Sequence, residues 1–333
     1  MCFRILLPLI ALAPLPAFAQ SFALKDTPGQ HLDVLRNGKV LARYMTAHDT
    51  SSKARHDETY KPYLHVFDPA SAAPITKGPG GTFPHHRGIY IGWNKINVGG
   101  KSYDRWHMKG GDQVHEKFIA QTAEKDRASF TSLVKWEGAT PAETLLEEER
   151  TFTFLPAPAP AYALIDVVSK LKAVAGETVL GGDREHAGVQ FRPVEEVDRT
   201  KTTYLFPVEK ADVKKDRDYP WFAGSFVAGG QRYSVVYLNH PANPKDAEVS
   251  AYRDYGRFGA YFKATIPAGG TQEIRSRFLV VAGEMPSSEV IQKAWNEYTG
   301  KSDPVPKTTV KAADVSKPAA PKKPATSAPA GRT

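Results

Sequence analysis

The chain has 333 residues, with 44 Lys and Arg against 36 Asp and Glu, a net charge of +8. Its single cysteine, Cys2, falls in an expected leader, so the mature chain is expected to hold no thiol. Disulfides, iron–sulfur ligation, zinc–thiolate sites and cysteine nucleophiles are thereby excluded. Residues 301–333 carry +5 of the net charge and Arg4 another +1, which leaves +2 for the body and no sign of a nucleic-acid groove.

The leader reads as a secretory signal over residues 1–19. Arg4 supplies the positive start, Ile5 to Ala13 the apolar stretch, and Ala17-Phe18-Ala19 the small-x-small cleavage site. Its apolar stretch is about half of the roughly twenty residues a membrane span needs, and no later stretch comes near that length. The expectation is a periplasmic or secreted protein that begins at Gln20, with no transmembrane segment.

The body, residues 20–300, reads as one all-β domain. Asn37-Gly38 between Val34-Leu35 and Val40-Leu41 is a hairpin signal. β-branched or aromatic runs follow at Ala128 to Trp136, Tyr162 to Leu171, Arg232 to Leu238 and Ile274 to Val281, punctuated by paired glycines. Phe258 to Ile266 alternates as a single strand. One helix is expected near the C-terminus, started by Pro286-Ser287-Ser288-Glu289 and ended at Gly300. Many strands without a βαβ rhythm predict a large sandwich of curved antiparallel sheets. Residues 301–333, rich in Lys, Pro and Ala, read as a disordered tail whose lysines suit contact with anionic envelope surfaces.

Polar chemistry gathers in particular segments. Eight of the ten histidines lie between His31 and His115. In extended form Lys61, Tyr63 and His65 share a face, a poor core stripe and a reasonable pocket lining. Pro84-His85-His86-Arg87-Gly88 joins two imidazoles, a planar fork for a carboxylate and a glycine suited to an unusual turn, with Trp93 following. His107 and His115 are candidate loop residues. Glu185 and His186 are adjacent acid/base types, and alternation puts His186, Gly188, Gln190 and Arg192 on one face, with the glycine leaving room for a ligand. His240 lies in an Asn-His-Pro loop, a capping residue or a ligand, and Arg253 opens Arg253-Asp254-Tyr255-Gly256-Arg257. No P-loop, dinucleotide fingerprint, serine elbow or His-Glu-x-x-His occurs.

These segments, in this order, resemble an uncharacterised bacterial domain family often labelled "PmoA" or "methane oxygenase", over residues from about 30 to 285. His85-His86-Arg87-Gly88 is the most specific part, and Ala187 stands where a glycine is expected. Methane oxidation is rejected: the membrane enzyme is a multi-span copper system, and a mature start at Gln20 offers no N-terminal histidine to a copper. The resemblance implies a supersandwich or mutarotase-like fold and the handling of sugars.

The candidate catalytic residues are His86, Glu185, His186 and His65. Candidate substrate-binding residues are Lys61, Tyr63, His85, Arg87, Trp93, His115, Gln190, Arg192, His240 and Arg253. The expected function is an exported carbohydrate enzyme of epimerase, lyase or hydrolase type, with Arg87 or Arg192 on an acidic sugar and Trp93 or Tyr63 stacked on its ring. A non-catalytic glycan or small-molecule binder is the alternative. A divalent metal is a further option, held by His65, His85 or His86, His115 and His186 with Glu185.

Overall fold

A computed structural model describes residues 21–315. The expected leader and the end of the expected tail lie outside them.

Alternation of apolar and polar residues builds three antiparallel sheets, of eight, nine and four strands. The eight-stranded sheet runs, in spatial order, Phe22–Thr27, His31–Arg36, Lys39–Met45, Tyr63–Val66, Ile89–Trp93, Ala187–Phe191, Phe258–Tyr261 and Glu248–Val249. The nine-stranded sheet runs from Thr309–Ala312 at one edge to Gln113–Ala123 at the other. Asn37 and Gly38 both take positive φ, 54° and 77°, and make the expected hairpin turn.

The two large sheets pack face to face. Tyr44 on one meets Phe130 and Phe152 on the other at ring-centroid distances of 5.1 and 5.5 Å, and Phe258 meets Phe222 at 5.9 Å. The Tyr44 hydroxyl donates to Ser132 Oγ across the interface, 3.2 Å away. This contact joins the sheets into the expected sandwich with one continuous core.

The expected C-terminal helix is Ser288–Thr299, capped by Ser287 and closed by Gly300 in the left-handed region at φ 69°. Its Ile291, Ala294 and Trp295 cover Trp221, Val236, Leu238 and Leu279 on the outer face of the nine-stranded sheet. Trp221 and Ala223 of the strand Trp221–Ala228 are thereby covered on the side away from the core.

The sequence reading departs from the structure at three places. Phe258 to Ile266 is not one strand; Phe258–Tyr261 and Ala264–Ile266 lie in different sheets, parted at Phe262-Lys263. A second helix, Lys53–Thr59, starts at Ser52, whose hydroxyl accepts from the Arg55 N–H. Folded structure also continues past residue 300: Thr309–Ala312 pairs with Thr203–Phe206. Thr309 and Val310 are strand formers and start the added strand, although the segment as a whole is basic and proline-rich. No helix among the described residues is long and apolar enough to cross a membrane.

Candidate functional site

A cavity of about 390 Å³ collects His85, His86, His107 and His186 with Glu185, Arg199, Arg253 and Arg257. Thr82, Phe83 and Tyr255 complete its wall. Two roomier depressions, of about 630 Å³ beside the C-terminal helix and about 570 Å³ around Pro69 to Ile75, hold no histidine or arginine, and two others, of about 470 and 480 Å³, hold histidines but no arginine.

The imidazoles form a chain. The His86 and His85 ring centroids are 4.3 Å apart, His85 and His107 4.4 Å, and His107 and His186 5.3 Å. His107 and His186 are each held by an aspartate three residues earlier. Asp104 Oδ2 is 2.7 Å from His107 Nδ1, and Asp183 Oδ1 is 2.9 Å from His186 Nδ1. Both arise from the same four-residue pattern, Asp104-Arg105-Trp106-His107 and Asp183-Arg184-Glu185-His186. In each, the aspartate also accepts backbone N–H groups from the turn it opens. In each, the arginine anchors that turn by donating to remote backbone carbonyls: Arg105 to Glu137 and Gly138, Arg184 to Val213 and Lys214. A carboxylate at Nδ1 fixes the proton there and leaves the Nε2 lone pair for chemistry.

His85 and His86 differ from that pair. Burial, with the charge of Lys61 added, pushes His85 down to about 2. Burial, with the charge of Arg257, holds His86 well below the usual histidine range. Both rings are therefore neutral. His86 is 3% exposed, and neither of its ring nitrogens has a partner. The Tyr90 hydroxyl and the Trp106 indole N–H beside it are buried and unpartnered as well. Unpaired polar atoms so concentrated are what a site for a polar ligand requires.

Glu185 is the single carboxylate of the cavity wall. Burial raises its pKa, but hydrogen bonds from Arg253 and the Tyr252 hydroxyl outweigh this and hold it below the usual range. It is thus the counterion of Arg253 and a weak base. Arg257 is fully buried. Its Nη1 donates to Gln190 Oε1 and Ser250 Oγ, at 3.0 and 3.2 Å, while its Nε has no partner. Among the described residues no carboxylate oxygen lies within 4.0 Å of it.

The sequence-predicted residues divide accordingly. His85, His86, Glu185, His186 and Arg253 line the cavity. Gln190 and Arg192 support it from below: Gln190 orients Arg257, and Arg192 donates to the Tyr255 carbonyl and lies under that ring, 4.6 Å from its centroid. The others serve elsewhere. Trp93 is core, its indole N–H donating to the Phe262 carbonyl. Arg87 closes the short helix by donating to the Asp57 and Glu58 carbonyls over the Tyr60 ring. Lys61 is buried, its ammonium donating to the Trp106 carbonyl above the Tyr90 ring. Burial, with the charges of Arg87 and Arg150, pushes Lys61 well below the usual lysine range. Tyr63 and His65 bond each other, and His65 also meets Thr76. His115 bonds Ser132, and His240 caps its own loop by accepting from the Ala242 N–H. The gap beside Gly188 belongs to the neighbouring strand and not to a ligand, since a Cβ there would stand 1.9 Å from the Ala260 carbonyl. Gly88 does take the unusual turn expected of it, at φ 46°, against the Leu64 carbonyl.

The suggested histidine metal set does not converge. His65 and His115 line separate depressions, away from the four cavity histidines.

Burial of neutral histidines fixes a pH dependence. Burial pushes His65 and His115 down to about 4, with Arg43 and Arg150 respectively adding to the effect. The unfolded chain takes up these protons near pH 6.5 and the folded chain does not. Stability is therefore full above about pH 6.5 and falls as pH drops toward 4. Urea unfolding at pH 7.5, 6 and 4.5 is expected to show this loss, and His65→Gln to flatten it; a pH-independent midpoint contradicts it.

The chain resembles a mutant heparan sulfate lyase HepC from Pedobacter heparinus (TM-score 0.42, 10% identity, 83% of this chain and 38% of that one). It resembles an alpha-galactosidase from Lactobacillus brevis (TM-score 0.37, 9% identity, 80% and 39%). It also resembles a galactose mutarotase related enzyme from Lactobacillus acidophilus (TM-score 0.35, 8% identity, 80% and 100%). The chain spans less than two fifths of the length of the lyase and of the galactosidase. None of these likenesses reaches a TM-score of 0.5, and none bears on what this chain does. No curated protein matches it. Residues 31–296, most of the chain and nearly the stretch that carries the sequence resemblance, match one family model. The chain belongs to DUF6807, a family of unknown function.

Proposed function

We propose that the cavity binds an acidic sugar of the uronate class and moves protons on it, as an epimerase or lyase does. The observation that carries the reading is Arg257, buried on the cavity wall. Of the three guanidiniums on the wall, Arg253 pairs with Glu185 and Arg199 with Asp254, while Arg257 has no such partner within 4.0 Å among the described residues. A buried Arg257 with no carboxylate in contact is better satisfied with an anion beside it, and the Nε edge of its fork is left for a ligand carboxylate. Phe83, 41% exposed and 5.4 Å from Tyr255 between ring centroids, offers the apolar platform that the C–H face of a sugar ring needs.

Proton transfer falls to the two aspartate-oriented histidines. With Nδ1 protonated, one Nε2 accepts the proton α to the substrate carboxylate; the other imidazole enters as imidazolium and gives its Nε2 proton to the opposite face of that carbon in an epimerase, or to the oxygen that departs as the β C–O bond breaks in a lyase. The guanidinium stabilises the charge that grows on the carboxylate as that proton leaves. His85 and His86, held neutral, contribute hydrogen bonds to hydroxyls. The reading includes export, consistent with the leader sequence.

Calorimetric titration with glucuronate and galacturonate, beside glucose and galactose, tests the binding. Uronates are expected to bind at least roughly tenfold tighter than the neutral sugars, and Arg257→Met to erase that preference. Equal affinity for both, or a preference that survives Arg257→Met, sinks the proposal.

A further inference from the structure

A second cluster of histidines lies outside the cavity. His48 follows the strand Lys39–Met45, His56 sits on the helix Lys53–Thr59, and Asp112 immediately precedes the strand Gln113–Ala123. Three segments remote in sequence thus bring their donor atoms to one point. His48 Nε2 lies 2.9 Å and His56 Nε2 2.7 Å from the same oxygen, Asp112 Oδ2. All three donor atoms lie within 4.8 Å of one another.

We infer that His48, His56 and Asp112 form a binding site for a first-row divalent cation of the zinc class.

Asp112 is 4% exposed, yet its other oxygen, Oδ1, has no partner at all. A carboxylate buried only to tie two histidines together would be expected to spread its acceptors over both oxygens. Crowding both imidazoles onto one oxygen and leaving the other bare fits a carboxylate that shares a cation with them. Two imidazoles and one carboxylate are the donors of open metal sites, with a further position for water or a ligand. Metal bonds of about 2.0–2.2 Å place tetrahedral ligand atoms roughly 3.4 Å apart. The imidazoles reach that by withdrawing roughly half an ångström or slightly more from Oδ2. Their side chains are 23% and 34% exposed, so both can shift and the ion can enter from solvent.

The supporting groups are rigid. The Asp112 N–H donates to Glu137 Oε2, and the Glu137 N–H donates to the Asp112 carbonyl. Arg87 pins the helix of His56 through the carbonyls of Asp57 and Glu58.

The test is titration of the full mature chain, stripped with chelator, with Zn²⁺ by calorimetry and with Co²⁺ by visible absorption. One tight Zn²⁺ equivalent is expected, with Co²⁺ bands typical of low coordination. His48→Gln together with His56→Gln should weaken it by roughly 100-fold or more, while His240→Gln leaves it unchanged. Circular dichroism checks that the double variant folds; if it does not, His56→Gln alone, on the exposed side of the cluster, gives the same readout. Absence of a tight equivalent in the natural chain overturns the inference. So does an equivalent that the histidine variants retain, since the ion then sits elsewhere.

Discussion

Loss of both His107 and His186 to alanine is expected to cut turnover of a uronate by about 10⁴-fold, and loss of either alone by 10² to 10⁴-fold. Each single variant removes one of the two imidazoles that an aspartate orients, so the drop should appear in kcat with KM little changed. Asp183→Asn probes the same step without touching the ring that reacts. It removes the acceptor 2.9 Å from His186 Nδ1 and frees the wrong tautomer, so kcat should fall while the uronate still binds through Arg257. Uronate binding by the natural chain without any turnover would return the protein to the class of binders. Turnover unaffected in the double variant would remove these histidines from the chemistry.

The second large effect concerns stability. Glu148 and Arg150 are buried between the sheets, fully bonded. Glu148 accepts from Arg150 Nε and Nη2 at 3.0 and 2.6 Å, from Ser169 Oγ at 2.6 Å and from the Trp136 indole N–H at 2.8 Å. Arg150 spends its remaining donors on the Pro62 carbonyl and Gln113 Oε1. Glu148→Ala strands a buried guanidinium and two neutral donors, which should cost about 3–5 kcal/mol of unfolding free energy. Urea denaturation measures it. A loss below about 1 kcal/mol would mean that water reaches Arg150 and replaces the carboxylate.

The sandwich was legible in the sequence because its strands alternate and its turns are marked by glycine pairs. The short helix Lys53–Thr59 was not, since its seven residues carry no apolar stripe and what holds it is Arg87, nearly thirty residues on. Burial on both faces also misled: Trp93 looked available for stacking, yet both sides of its strand are covered. For the site, the strongest local segments did converge, with His85, His86, Glu185, His186 and Arg253 around one cavity. Arg257 was passed over although it stands four residues after Arg253, because only the fold shows that it lacks a carboxylate. His107 had a signal that sequence inspection can use. The pattern Asp-Arg-x-His occurs at 104–107 and again at 183–186, and each copy builds the same aspartate-held imidazole. The pairing of Glu185 with Arg253 was invisible, since 68 residues separate them.

The strand Thr309–Ala312 has a consequence for how the protein is handled. It occupies the hydrogen-bonding row of Thr203–Phe206, from Thr203 opposite Ala312 to Phe206 opposite Thr309. A chain trimmed at residue 300 would bare that row beside buried Leu205 and Phe206, a template onto which another molecule can add its own strand. Such a product is prone to self-association even with its cavity intact. In the untrimmed chain Lys311, exposed near the middle of the outermost strand, acts as a stop, because its charge discourages any further chain from extending the sheet.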